Sequence, residues 1–221
     1  MNPIFPRTRV ILCGQKQFGA AVFDMLYERS DVDILGVWSP PLSRGHEDRL
    51  KRKARIYEVP WHEAGTLRAS SVPAETDLLI AAHSHDYVGR ETRRRIRSGA
   101  VGYHPSLLPL HRGRSAVEWT IRMRDKVAGG SAFWLNDTVD GGPVIAQEWC
   151  FVRPTDDAWS LWTRELFPMG IRLLSRAIDE IRAGSASRIP QDKSLATWEP
   201  AIDAPPLYRP ELIELLSPGR V

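Results

Sequence analysis

Short apolar runs of strand length alternate with segments of helical periodicity through the first half of the chain, and this alternation restricts the fold more than any other feature. Residues 9–14 (RVILCG) read as a fully buried strand, and Phe18, Val22, Met25 and Leu26 then give the next segment one apolar helical face. Residues 33–38 (DILGVW) are a second strand. Strand, helix and strand joined by short connections require a parallel pair. The expected class is therefore α/β, Rossmann-like, with a mostly parallel central sheet and helices on both faces. Residues 56–59 and 77–82 add two further strands, the first short and the second stronger. Gly14 and Gly19 bracket the first strand-to-helix turn, but their spacing matches neither GxGxxG nor a phosphate loop. A tight turn is the simpler reading, and a dinucleotide-dependent dehydrogenase is disfavoured.

Two segments carry the chemistry. Residues 100–103 form a short apolar strand that ends in His104-Pro105-Ser106-Leu107-Leu108-Pro109. Pro105 crowds His104 out of the helical region, so a titratable imidazole is held at a strand end. About one supersecondary unit later, strand residues 131–135 run into a turn carrying Asp137, Thr138, Val139 and Asp140, followed by Gly141, Gly142 and Pro143. Glycine there permits a tight bend and close approach of a ligand. Imidazole and carboxylate on neighbouring strand ends make an acid/base pair, in which the carboxylate supports the charged ring. Aspartate is also an ordinary turn-former, so Asp137 alone carries little weight.

The loop after strand 77–82 contains His83, Ser84, His85, Asp86 and Tyr87, at the end of a parallel strand where open α/β sheets bind ligands. Two histidines and an aspartate without a further ligand at a recognised spacing do not make a zinc site, and no metal is expected. Arg112, Gly113 and Arg114 precede a helix through 116–123 for which Ser115 is the expected N-cap, an anion-friendly corner. His111 reads as exposed, and Glu118 as a solvent-facing carboxylate. Ser106 lacks the context of a nucleophile elbow.

Two arginine-rich runs, 49–55 and 90–97, are either solvated helix faces or phosphate patches. The second is not interleaved with aromatics, so single-strand base stacking is not suggested, and nucleic acid is a disfavoured partner. Near the end, 158–182 reads as one long amphipathic helix kinked at Pro168, with Asp157 at its start. Cys13 and Cys150 fall in strands and read as core residues rather than a disulfide pair. With 221 residues, 43% hydrophobic content and net charge +3, one domain over 1–184 is expected. Residues 185–221 then form an extended proline-rich tail that wraps the body or a partner, with Trp198, Leu207, Tyr208 and Leu212 worth burying. No run of eighteen or so apolar residues and no signal-like N-terminus occur, so a cytoplasmic protein without a membrane span is expected. The oligomeric state is left open, a homodimer included.

HPSLLPLHRGRSAVEWT and FWLNDTVDGGPVIAQ together resemble the folate-dependent formyltransferases, which act on methionyl-tRNA, glycinamide ribonucleotide or sugar nucleotides. The pattern is most similar to the hydrolase domain of 10-formyltetrahydrofolate dehydrogenase, which shares Tyr-His-Pro-Ser-Leu-Leu-Pro and the Leu-Phe-Pro found here at 166–168. The resemblance covers 9–184 and implies a catalytic domain using 10-formyltetrahydrofolate as formyl donor, with His104 and Asp140 as the catalytic pair. It also implies that His83 to Tyr87 contact the pterin through their backbone. The cleft would be closed by Asp137, Thr138, Val139, Gly141 and Gly142, with Gly102, Ser106, Arg112, Gly113 and Arg114 toward the acceptor. One position departs from the transferases: Gly102 stands where they carry asparagine, two residues before the histidine and on the same strand face. Its amide would donate to the developing oxyanion, and loss of one such donor costs about 10²–10³ in turnover. The expected activity is formyl transfer to an amine of a small, possibly phosphorylated acceptor. Hydrolysis, with water in space left by Gly102, is the alternative; a non-catalytic folate- or nucleotide-binding module is the reading from another class.

Overall fold

The computed structural model describes residues 7–84, 86–200 and 202. Nine strands and six α-helices alternate along these residues. The first half contains β1 (Thr8–Gly14), α1 (Lys16–Tyr27), β2 (Val32–Ser39), a small hairpin β3 (Leu42–Ser43) and β4 (His46–Glu47), α2 (Arg49–Ile56), β5 (Trp61–Glu63) and β6 (Leu78–Ala82). The second half contains α3 (Arg90–Arg94), β7 (Gly99–His104), α4 (Ala116–Arg122), β8 (Val127–Trp134), β9 (Val144–Phe151), α5 (Ala158–Leu161) and α6 (Phe167–Arg182). The main sheet has seven strands in the order β5-β2-β1-β6-β7-β8-β9. All pairs up to β7 are parallel, and β7-β8-β9 are antiparallel. The mostly parallel sheet expected from the β-α-β pattern is therefore present, with an antiparallel extension on the side that carries the two motifs.

Strand residues alternate between two cores, as a period of two requires. Val10, Leu12, Leu78, Ile80, Val101 and Tyr103 pack with α1 and α6, whereas Ile11, Cys13, Leu79 and Ala100 pack with Leu67, Val72, Val88 and Ile96. The second face is covered by α3 and the connection before β6 rather than by long helices. His104 and Gly102 belong to that thinly covered face, because each lies two residues from Ala100 or its neighbour on β7. Both cysteines are free and buried, and burial pushes their thiols upward. No helix among the described residues is long and apolar enough to cross a membrane.

Three local expectations are corrected. Residues 56–59 are not a strand: Arg49–Ile56 is helical, with Leu50 and Ala54 four residues apart and buried beneath the cationic face. Asp48 caps that helix through the Leu50 amide and also accepts from the Lys16 amide, both at 2.9 Å, so one buried carboxylate joins two helix starts. The C-terminal helix runs on through 158–182, but its irregularity lies upstream of Pro168, where Trp162–Leu166 forms a π-helical turn between α5 and α6. Pro168, lacking an N–H, sits in the first turn of α6 where no donor is needed. Ser115 occupies the N-cap position of α4 but has φ +66°, and its hydroxyl accepts from the Ile202 amide at 3.3 Å instead of capping α4. Asp157, by contrast, forms a capping box with Ser160. Leu207, Tyr208 and Leu212 lie outside the described residues.

Candidate active site

His104 ends β7 opposite Ser131 of β8, and Gly102 lies opposite Phe133. The His104 imidazole is buried, with Nε2 2.6 Å from the His111 carbonyl oxygen. A carbonyl can only accept, so Nε2 carries the proton and Nδ1 presents the lone pair of the neutral ring. Nδ1 faces Asp140, whose Oδ2 lies 3.6 Å away. That distance supports a protonated ring electrostatically and exceeds a direct hydrogen bond.

Asp140 is set by its loop. Its φ is +49°, a left-handed conformation that aspartate tolerates better than most side chains, and Oδ2 accepts the Gly113 N–H at 2.8 Å. Two residues on, a Cβ at Gly142 would overlap the Trp134 carbonyl oxygen, so only glycine lets the loop return to β9 this closely. The turn after His104 is tied as firmly. Ser131 Oγ donates to the Ser106 carbonyl (2.6 Å) and accepts from the Leu108 amide (3.0 Å), while Gln147 Nε2 donates to the Leu108 carbonyl (2.9 Å). Ser106 Oγ donates to the Leu110 carbonyl at 2.5 Å and is almost fully buried, so it closes the turn rather than lining the cleft.

The other residues singled out from the sequence divide into two groups. Ser84 and Asp86 line a cavity of about 70 Å³ with Gly14, Gln15, Pro40 and Ala64, outside the carboxyl ends of β1, β2, β5 and β6. Asp86 Oδ2 is buried there without a protein partner among the described residues. His83 and Tyr87 are exposed, and His85 lies outside the described residues. Asp137 is engaged elsewhere than His104 and Asp140: Arg90 and Arg93 both bind its carboxylate and hold its pKa down to about 2. Thr138 and Val139 are exposed, and Gly141 donates to the Thr138 carbonyl at 3.1 Å. Arg114 is exposed on the turn before α4.

Three readings are overturned at the site itself. The space beside Gly102 is not open: a Cβ there would meet Leu135 at 3.2 Å and Phe133 at 3.3 Å, so two apolar side chains fill the position of the missing amide. His111 is buried rather than exposed, with Nε2 2.8 Å from Asp125 and Nδ1 3.2 Å from Glu199. Two carboxylates thus hold the side chain of the residue whose carbonyl fixes the tautomer of His104. Arg112 is also buried, its guanidinium donating to Gln191 Oε1 at 2.6 and 3.1 Å. No sequence periodicity marks His111, Glu199 or Gln191, since their partners lie up to 88 positions away along the chain.

A family model described as formyl transferase matches residues 7–178, which include the whole of this site except its C-terminal contacts. The chain belongs to that family. It is 36% identical over 205 residues to the mitochondrial 10-formyltetrahydrofolate dehydrogenase of Mus musculus, covering 87% of this chain and 22% of the relative. It is 35% identical over 203 residues to the methionyl-tRNA formyltransferase of Methylacidiphilum infernorum, covering 86% of this chain and 62% of that protein. The chain therefore spans only about a fifth of the dehydrogenases it matches. In fold it is similar to the N-formyltransferase of Helicobacter canadensis in complex with folinic acid and dTDP-3-aminofucose, with TM-score 0.72, 14% identity, and coverage of 87% of this chain and 70% of that one.

Proposed function

We propose that this formyl transferase family member removes the formyl group of 10-formyltetrahydrofolate with water as the acceptor, yielding formate and tetrahydrofolate. The observation that carries the choice of water is that Phe133 and Leu135 fill the position beside Gly102 and leave no room there for a larger acceptor, so the attacking water reaches the formyl carbon from elsewhere in the site. Neither of these side chains can donate to an oxyanion. Four arginines of the 90–97 run, which could favour a phosphorylated acceptor, are also engaged: Arg90 and Arg93 with Asp137, Arg94 with Glu91, and Arg97 with Glu75 and Asp77. Folate as the donor is supported by Asp86 Oδ2, a buried acceptor without a partner among the described residues, because pterin N–H groups need acceptors. Asp86, Ser84 and the loop 138–142 would hold the folate.

Within this reading, water attacks the formyl carbon while its proton passes to His104 Nδ1, the nitrogen not committed to the His111 carbonyl. Asp140 supports the resulting imidazolium. The C–N bond to the folate then breaks as His104 returns the proton to the departing nitrogen, and formate leaves with the oxygen that water supplied. Transfer to an amine is the second reading, favoured by the 35% identity to a methionyl-tRNA formyltransferase. The test is tetrahydrofolate release from 10-formyltetrahydrofolate by the purified chain, without and with a panel of amines. Formate formed in step with tetrahydrofolate, unaffected by amines, supports hydrolysis. Strict dependence on an amine supports transfer.

A further inference from the structure

Beyond α6 the backbone returns along the end of β8, the start of β9 and the turn after β7, and is bonded to them repeatedly. Ile189 exchanges backbone hydrogen bonds with Val144 at 2.8 and 3.0 Å. Ser187 accepts from Trp134 Nε1 at 2.9 Å, and the Arg188 guanidinium lies 3.7 Å from the Trp134 ring centroid. Further on, the Thr197 carbonyl accepts from the Arg112 amide at 3.1 Å and its hydroxyl from the His111 amide at 2.8 Å.

Gln191 makes a different kind of contact, because it binds both loops that carry the catalytic pair. Its Nε2 donates to the carbonyls of Asp140 (2.8 Å) and Gly142 (2.7 Å), while Oε1 accepts twice from Arg112. A glutamine amide has two donor protons and two acceptor lone pairs, and here all four are used. The residue so held needs holding. Asp140 is a non-glycine residue at φ +49°, and such conformations persist only where the surroundings over-determine them. Its side chain must at once accept from Gly113 and face His104 Nδ1.

We propose that Gln191 is a positioning residue for formyl removal: its amide fixes the backbone of Asp140 so that Oδ2 stays between the Gly113 N–H and His104 Nδ1. This rests on the hydrolytic or transfer reading of the His104 site. Gln191→Glu separates the two halves of the amide, since it keeps an acceptor for Arg112 and sets an oxygen against the carbonyls of Asp140 and Gly142. Both Gln191→Glu and Gln191→Ala should lower kcat by about 10²-fold, the cost of misplacing a catalytic group by about 1 Å. KM for 10-formyltetrahydrofolate should stay within about threefold, because the change acts on the chemical step rather than on uniform binding. For Gln191→Glu, the deficit relative to the unmodified protein should shrink at acidic pH, where the introduced carboxyl is protonated and regains one donor.

Hydrogen exchange of the 138–142 amides, read without folate, supplies the arm independent of activity. Exchange faster by about tenfold or more in both variants is expected if the loop loses its anchor. Wild-type kcat in Gln191→Glu, or unchanged exchange in that segment, overturns the proposal, and Gln191→Glu alone decides it where the alanine variant fails to fold. An unmodified protein that turns over no 10-formyltetrahydrofolate overturns the functional reading, and the exchange result then still decides whether Gln191 places Asp140.

Discussion

At the scale of single residues, the site depends on which nitrogen of His104 is free. The His111 carbonyl commits Nε2, so Nδ1 is the nitrogen left for the proposed acid/base role, and Asp140 is the only carboxylate within 4 Å of it among the described contacts. His104→Ala and Asp140→Asn should each lower turnover of 10-formyltetrahydrofolate by about 10²–10⁴-fold, measured as formate release, with the melting temperature little changed. Gly102 gives a prediction of the opposite kind. Because Phe133 and Leu135 already occupy the position, Gly102→Asn should overpack the face and cost about 1–3 kcal/mol in urea unfolding without conferring amine transfer. A stable Gly102→Asn protein that formylates amines contradicts the proposed reason for hydrolysis. The sequence singled out His104 through a strand end and the proline after it, and Asp140 through the glycines that follow and the resemblance to the formyltransferase motif. It could not show that Gly102 is back-filled, because Phe133 reaches it across a strand pairing.

Elements contribute through the clamps between them. Asp137 ties the β8–β9 loop to α3 through Arg90 and Arg93, and those guanidiniums hold its carboxyl down to about 2. A depressed carboxylate stabilises the fold fully above its unfolded value near 4 and loses that contribution as pH falls toward 2. The melting temperature of Asp137→Asn should therefore lie below the unmodified protein at pH 7 and converge with it near pH 2. The gap should be small, since the clamp is at the surface. A gap that persists unchanged at acidic pH contradicts the assignment. Elements were legible wherever their pattern was local, as in β1, β2, β6 and β7. The misreadings at 56–59 and at the π turn arose where the deciding partners were remote: Asp48 bridges two helix starts, and the Leu166 carbonyl accepts from Tyr103 at 2.7 Å.

For the whole molecule, the sheet separates a thick helical core from a thin face, and the candidate chemistry sits on the thin side. The buried thiols report on the integrity of that arrangement. Cys13 is fully enclosed and Cys150 nearly so, with both thiols pushed above their ordinary value by burial. Neither should react with a thiol reagent at pH 8 in the native protein, and both should react at once in denaturant. Truncating a wholly buried residue such as Leu173 to alanine should cost about 2–5 kcal/mol in urea unfolding. The α/β class and the sheet's parallel part follow from alternating apolar runs, which is short-range information. The return of residues 187–200 along β8, β9 and the turn after β7 is long-range, and only the coordinates join Gln191 to Asp140 and Glu199 to His111.

The central claim is that the His104–Asp140 cleft removes a formyl group from folate without needing an amine. Its most direct test is formate and tetrahydrofolate release from 10-formyltetrahydrofolate by the purified protein in acceptor-free buffer, beside His104→Ala. Equal molar release of both products by the unmodified protein, lost in the variant, is the expected result. Turnover that is absent until an amine is added, or that survives His104→Ala, would contradict it.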